Sequence, residues 1–193
     1  MAHRHSFAKQ RRRVPRRSGL QGNLQGESWA CAQEPVRETH SAQHPIKNIT
    51  VMAAISRFGI VHYEVLDANG NGERFRQFLH GLQAALLEKH HNPVLIMDNV
   101  NFHKMDIVLE EMAILGLDYH FLPPYSPFFN PIENFFSQWK QHVKQQKPAN
   151  EVELRTAMDN VRNIVSVDDC NNYVANCNRN CQKCLAGDDF FDN

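Results

Sequence analysis

From Ile49 onward the chain alternates between short apolar segments of strand length and longer segments of helical periodicity. Val94–Met97 constrains the fold most, because a short run that is apolar throughout is typical of a strand buried on both faces. Two β-branched segments precede it and are joined by a turn that suits a hairpin. The order of elements is strand, strand, helix, strand, helix, strand, helix, helix. This order predicts an α/β fold on a mixed sheet, with one hairpin followed by parallel crossovers.

Composition and charge narrow the class of protein. Of 193 residues, 42% are hydrophobic and 22% are charged, which is typical of a globular domain with its own core. No apolar run approaches the roughly 18 residues of a membrane span, so no membrane partner is predicted. Residues 1–47 hold nine Lys/Arg against three Asp/Glu, whereas residues 48–193 hold twelve against eighteen. We therefore predict a basic, largely irregular arm over residues 1–47 that meets a polyanionic partner.

Two carboxylates are candidates for chemistry. Asp98 directly follows the apolar run 94–97, at the strand end where α/β folds place their sites. The simpler interpretation is that Asp98 and Asn99 only begin a turn. Glu133 is the third helical residue after Asn130 and Pro131, so a capping box alone explains it. Each position by itself leaves the structural interpretation open.

The two acids taken together with their flanking motifs favour a chemical role over a purely structural one. The segment Asp98-Asn99-Val100-Asn101-Phe102-His103, the loop Pro123-Pro124-Tyr125-Ser126-Pro127 and the helix start Asn130-Pro131-Ile132-Glu133 occur in this order, with thirty-four residues between Asp98 and Glu133. Together they resemble the catalytic domain of mariner-superfamily transposases, the DDE-type endonucleases. The resemblance covers about residues 48–147, and residues 148–193 are predicted to form a separate helical segment.

The resemblance implies an RNase H-like mixed sheet flanked by helices and metal-dependent DNA cleavage and strand transfer. In that family, two Asp and one Glu or Asp hold two Mg²⁺ or Mn²⁺ ions, which is chemically sensible because hard cations take oxygen ligands. Two such ions can stabilise the attacking and leaving oxygens of a displacement at phosphorus. By resemblance, Asp98 is the second acid and Glu133 the third, with Asn99, His103 and Asn130 in support. His103 could orient the site, contact DNA or lie at a surface helix start.

The first acid of the family lies on the central first strand of the sheet. No Asp or Glu occurs before Glu27, and an Arg-rich segment that follows this strand in the family resembles residues 6–17. We therefore expect an N-terminally truncated domain that lacks the central strand and one metal ligand. Unpaired edges on the two neighbouring strands would then be a folding hazard.

Two functions remain open at this point. One is a DNA endonuclease and strand transferase. The other is a catalytically dead DNA-binding or interaction remnant that uses the basic arm, through Arg11, Arg12, Arg13, Arg16 and Arg17. DNA is the expected partner in both, with a homodimer as a further possibility and no small-molecule substrate. The expected location is the nucleus in a eukaryote and otherwise the cytoplasm, in association with DNA.

Four of the five cysteines lie in the last quarter of the chain. With Val167 and Val174, they recur at spacings of three and four, which predicts one face of an amphipathic helix. One straight helix cannot bring all four to a single tetrahedral ion, so packing is favoured over zinc binding. Half of a zinc site from Cys181 and Cys184 stays as the alternative, although no matching second pair is evident.

Overall fold

The computed structural model describes residues 28–36, 49–67, 69–87 and 94–187. Five strands and six helices follow one another along these segments: β1 Ser28–Val36, β2 Ile49–Ser56, β3 Gly59–Leu66, α1 Gly72–Leu87, β4 Val94–Met97, α2 Asp106–Ile114, β5 Asp118–Phe121, α3 Pro131–Gln145, α4 Glu151–Asp159, α5 Val161–Ile164 and α6 Val167–Ala186. Short 3-10 turns precede α2 and α3. Within the described segments, no helix is both long and apolar enough to span a bilayer.

The strands form one sheet in the order β3-β2-β1-β4-β5. Strands β2 and β3 form the predicted hairpin, and β2 is antiparallel to β1. Strands β1, β4 and β5 are parallel to one another. The prediction of a mixed α/β sheet with a hairpin and parallel crossovers is therefore confirmed.

The centre of the sheet corrects one expectation. The central position, which the sequence led us to expect vacant, is filled by β1, a segment that was assigned to the irregular arm. Its Cα partners run from Ala30 with Ile55 to Val36 with Ile49 on one side, and from Ser28 with Val94 on the other. The strand was missed because, apart from Trp29 and Val36, it consists of small and polar residues and Pro35, which do not indicate a central strand.

Helices cover both faces of the sheet. On one face, Val51, Ala53 and Ile55 pack with the apolar sides of α3, α4 and α6, including Trp139 and Phe136. On the other face, the alternate residues of β2 pack with α1 and α2. This two-sided burial explains why β2 is buried at all eight positions. Burial of β4 is one-sided by comparison, because Leu95 and Met97 are buried in the α1 and α2 layer while Val94 and Ile96 are only partly buried.

The C-terminal helices differ partly from prediction. The apolar spacing of Leu154, Ala157, Met158, Val161 and Ile164 predicts a single helix, but these residues lie in two, α4 and α5, with a break at Asn160. The cysteine-containing helix is confirmed as a single element, α6, capped by a reciprocal pair between Ser166 and Asp169. Cys170 is fully buried in the core, and the Cys177 thiol donates to the carbonyl of Phe129 at 2.8 Å.

Thiol reactivity should follow burial along α6. Burial raises the pKa of both Cys170 and Cys177 to about 12, with smaller contributions from Asp169 and from Cys181 respectively. Both thiols therefore stay protonated at pH 8, and the thiolate is the nucleophile. We expect iodoacetamide at pH 8 to modify exposed Cys184 first and Cys170 last, measured by peptide mass spectrometry. Equal rates for these two in the folded protein, with the rates in guanidinium as reference, would contradict the packing of α6.

The central position of β1 can be tested with proline. Ala30 has a strand partner on each side, Ile55 and Ile96. Ala30→Pro removes a ladder donor in a strand that has no free edge. We expect a loss of at least about 1–3 kcal/mol in the free energy of unfolding, the cost of an unpaired buried acceptor. Ala30→Ser keeps the N–H and serves as the control in chemical denaturation. Equal free energies of unfolding in the two variants would contradict the assignment of this segment as a central strand and would favour an irregular arm.

Candidate active site

Asp98 stands at the end of β4, the strand next to the sheet centre. Pairing with the neighbouring parallel strand ends at the residue before it, where the N–H of Leu122 donates to the carbonyl of Met97 at 2.8 Å. The Asp98 side chain is 29% exposed and its Oδ1 accepts from the N–H of Val100 at 3.4 Å. Its carboxylate is therefore partly solvated at the edge where parallel strands deliver their functional groups.

Glu133 lies in the first turn of α3. Pro131 begins this helix, and the apolar stripe that buries Phe135, Phe136 and Trp139 fixes the helix against the sheet. The N-terminal end of a helix dipole favours an anion, so the carboxylate is stabilised there. The preceding loop turns at Tyr125, which has a φ of 58° and an almost fully exposed side chain.

One cavity of about 410 Å³ brings the two acids together. Asp98, Asn99 and Val100 line one side, the loop 122–127 lines another, and Asn130 and Glu133 complete the wall. Four of the five residues singled out from the sequence therefore line the same cavity: Asp98, Asn99, Asn130 and Glu133. The predicted nucleic-acid-binding residues Arg11 to Arg17 lie outside the described residues.

His103 lies behind this cavity. Its side chain is completely buried, with ring centroids 4.3 Å from Phe75 and 4.2 Å from Phe102. Its Nδ1 is 2.9 Å from Oδ1 of Asp98, although the ring nitrogen is not aligned for a hydrogen bond. Burial excludes both a surface histidine and a direct DNA contact. Of the three interpretations, the one that fits is support of the Asp98 carboxylate from inside the protein.

Asn130 differs from its predicted role. It occupies the N-cap position of α3, but its side chain makes no capping hydrogen bond. The residue is only 2% exposed, and neither amide atom has a hydrogen-bond partner. Buried amides are normally satisfied, so an orphaned amide in a cavity wall indicates a group meant for a ligand. The predicted capping box is therefore absent here, whereas Asn150 caps α4 as expected of an N-cap residue.

The register of β1 identifies the residue opposite Asp98 on the neighbouring strand. Cys31 pairs with Met97 on β4, so the same register continued by one residue brings Ala32 opposite Asp98. Ala32 also pairs with Ala53, which packs under α3, so this position is on the face that carries Glu133. The one acid within β1 is Glu34, two positions further along the same face. Glu64 belongs to the opposite face, since it pairs with Met52, and it bonds His62 at 2.9 Å.

The donor set suits a hard divalent cation in part. Asp98 and Glu133 supply carboxylates on one cavity, and Asn130 supplies an unsatisfied amide. Mg²⁺ is commonly held by one or two carboxylates and completes its shell with water and phosphate oxygens. Among the described residues, no group of three or more His, Cys, Asp or Glu side chains could hold a metal ion. The residues present therefore fit a cation site that depends on the substrate for further ligands.

Solved structures of one transposase share the fold of this chain. The catalytic domain of Mos1 mariner transposase superposes with a TM-score of 0.72 at 17% identity, covering 86% of this chain and 84% of that chain. The same domain with Raltegravir and Mn gives a TM-score of 0.70 at 18% identity, covering 86% and 84%. The Mos1 strand transfer complex gives 0.67 at 17% identity, covering 86% of this chain and 55% of that chain. The likeness confirms the RNase H-like mixed α/β fold predicted from the sequence.

Sequence comparison decides the family. No curated protein matches this chain. The family model described as DDE superfamily endonuclease matches residues 19–155, well over half of the chain, and this range includes β1, Asp98 and Glu133. The chain belongs to the DDE superfamily endonucleases.

Proposed function

We propose that this chain is a transposase-type DNA endonuclease domain that cleaves and transfers DNA strands with a divalent metal held by Asp98 and Glu133. The observation that carries the proposal is the single cavity that both carboxylates line, at the carboxyl end of β4. Family membership supports the same reaction class. The Mos1 catalytic domain has been solved together with Raltegravir and Mn and with Raltegravir and Mg, which supports Mg²⁺ or Mn²⁺ as the metal here.

Each residue of the site has a defined task in this proposal. When bound, Mg²⁺ or Mn²⁺ supplies Lewis-acid stabilisation of charge at the reacting phosphodiester. Asp98 and Glu133 hold the ion from two sides of the cavity. His103 and the N–H of Val100 restrain Asp98, so that its carboxylate is oriented before the metal arrives. Asn130 offers its buried amide to a phosphate oxygen or to a water beside it.

The partners follow from the same reasoning. Mos1 structures are described as a strand transfer complex and as paired-end complexes with a transposon end, which supports DNA as the partner and a homodimer as the working assembly. With DNA as the partner, we propose the nucleus as the location in a eukaryotic host and otherwise the cytoplasm, in association with DNA. The basic arm, through Arg11 to Arg17, is proposed to add phosphate contacts that do not depend on sequence.

One observation favours the second candidate, a DNA-binding protein without catalysis. Continuing the register by one residue puts Ala32 opposite Asp98 on β1, the central strand on which the family carries its first acid. Two metal ions bring four positive charges, and two carboxylates neutralise only half of them. The two-metal form of the site therefore depends on a further carboxylate, whether Glu34 or a residue introduced at position 32.

Plasmid nicking with Mn²⁺ at low salt separates the two candidates. We expect nicking by the native chain, and a loss of at least about tenfold in Asp98→Asn and in Glu133→Gln, because each variant removes a ligand that water replaces poorly. Glu110→Gln on α2 is the matched control, since it removes one exposed carboxylate away from the cavity. Ala32→Asp should raise the rate by at least about tenfold by adding the absent ligand.

The outcomes of that assay are distinct. Background nicking that is equal in the native chain, Asp98→Asn and Glu133→Gln contradicts the endonuclease proposal. If Ala32→Asp alone creates Asp98-dependent nicking, the native chain is the DNA-binding form and position 32 holds the lost acid. If Glu34→Gln abolishes native nicking while Ala32→Ser does not, Glu34 supplies the third carboxylate.

Substitution of Asn130 should affect the free energy of unfolding and the nicking activity in different ways. Asn130→Leu is close in size and removes an amide that has no hydrogen bond to lose. We expect its free energy of unfolding to equal or exceed that of the native chain, because an unsatisfied buried group is a cost. Ser166→Ala, which breaks a capping box that is formed, should lose about 1 kcal/mol in the same denaturation experiment. Mn²⁺-dependent nicking should fall in Asn130→Leu and stay unchanged in Ser166→Ala.

A further inference from the structure

A second depression continues from the cavity along α3. It has a volume of about 400 Å³ and is lined by Glu133, Phe136, Ser137, Lys140, Gln141 and Lys144. Glu133 lines both depressions, so the carboxylate cavity and this α3 groove lie on either side of one carboxylate. None of the motifs identified in the sequence includes residues 137–144.

The charge of this groove differs from that of the chain around it. Residues 48–193 carry an excess of six acidic residues over basic ones. Between Asn134 and Asn150, however, the sequence contains Lys140, Lys144 and Lys147 and no Asp or Glu. The basic segment therefore begins directly after the last carboxylate of the site, and it stands out from an acidic surface.

The spacing along α3 gives the groove a length and a direction. Ser137, Gln141 and Lys144 follow Glu133 at four, eight and eleven positions, which is one face of a helix, and all three are exposed. At a rise of about 1.5 Å per residue, Lys144 lies about 16 Å along the helix axis from Glu133. One strand of duplex DNA carries about five phosphates over that length, at about 3.4 Å each.

We propose that the α3 groove holds the sugar–phosphate backbone of one DNA strand and leads it to the cavity of Asp98 and Glu133. Lys144 neutralises a phosphate, and Ser137 and Gln141 donate hydrogen bonds to phosphate or sugar oxygens. Such contacts fix the position of the strand and carry no sequence preference. The proposal names the substrate path of the proposed function and rests on it.

The test is the salt dependence of DNA binding, measured by fluorescence anisotropy of a labelled duplex in EDTA. Without metal no cleavage occurs, so binding is measured apart from catalysis. We expect the slope of log K against log [salt] to become shallower by about 0.9 in Lys144→Gln, the value for one lost phosphate contact in duplex DNA. Lys144→Glu should weaken binding further at every salt concentration.

Arg57→Gln is the matched control. Arg57 lies on the turn between β2 and β3, and because β2 is antiparallel to β1 while β4 is parallel to it, this turn is at the opposite end of the sheet from Asp98. The arm is the same in all variants, so its contribution cancels. Slopes that are equal in the native chain, Lys144→Gln and Arg57→Gln overturn the proposal, and so does an absence of binding by the native chain. A changed slope in Lys144→Gln alone supports it even if the nicking assay is negative, in which case only the endonuclease proposal fails.

Discussion

The pairing of β1 on both of its edges is the interaction on which the rest of the structure depends. It joins the β2–β3 hairpin to the β4–β5 pair, and no other strand of the described segments connects them. Both helical layers pack against strands that β1 holds in register, since Ala53 and Ile55 face α3 and Met97 faces α1. Without this strand, two half-sheets would expose unpaired edges beneath incomplete cores.

The position of the site follows from that arrangement. Asp98 is placed by β4, whose buried residues leave no freedom in the strand that precedes it. Glu133 is placed by α3, through the aromatic stripe that packs on the sheet. One carboxylate thus comes from the sheet and the other from the helix that covers it, and the loop 122–127 lines the space between them. The acidic walls of the cavity therefore belong to a strand end and a helix, and its remaining side is formed by the loop.

Local patterns in the sequence predicted most of the fold, and the resemblance to mariner-superfamily transposases singled out the two acids. The periodicity of α3 and the apolar run of β4 are strong signals, because burial acts on each residue separately. The same logic failed for β1, since Ala30, Ala32 and Pro35 form a strand only through neighbours distant in sequence. It failed for the Asn130 cap because tertiary burial directs that amide into a cavity. Lys144 was missed although a signal existed, namely an acid-free stretch with lysines on the helix face of Glu133.

The alanine opposite Asp98 has a genetic consequence. Every alanine codon becomes an aspartate or glutamate codon when its second base changes from C to A. A sheet that keeps its central strand while holding alanine at position 32 is thus a single base substitution from a carboxylate there. Selection on the fold and selection on the chemistry act on separate properties of this strand, its backbone pairing and one side chain. The fold can therefore persist without catalysis, and a carboxylate at position 32 can be regained without a change of fold.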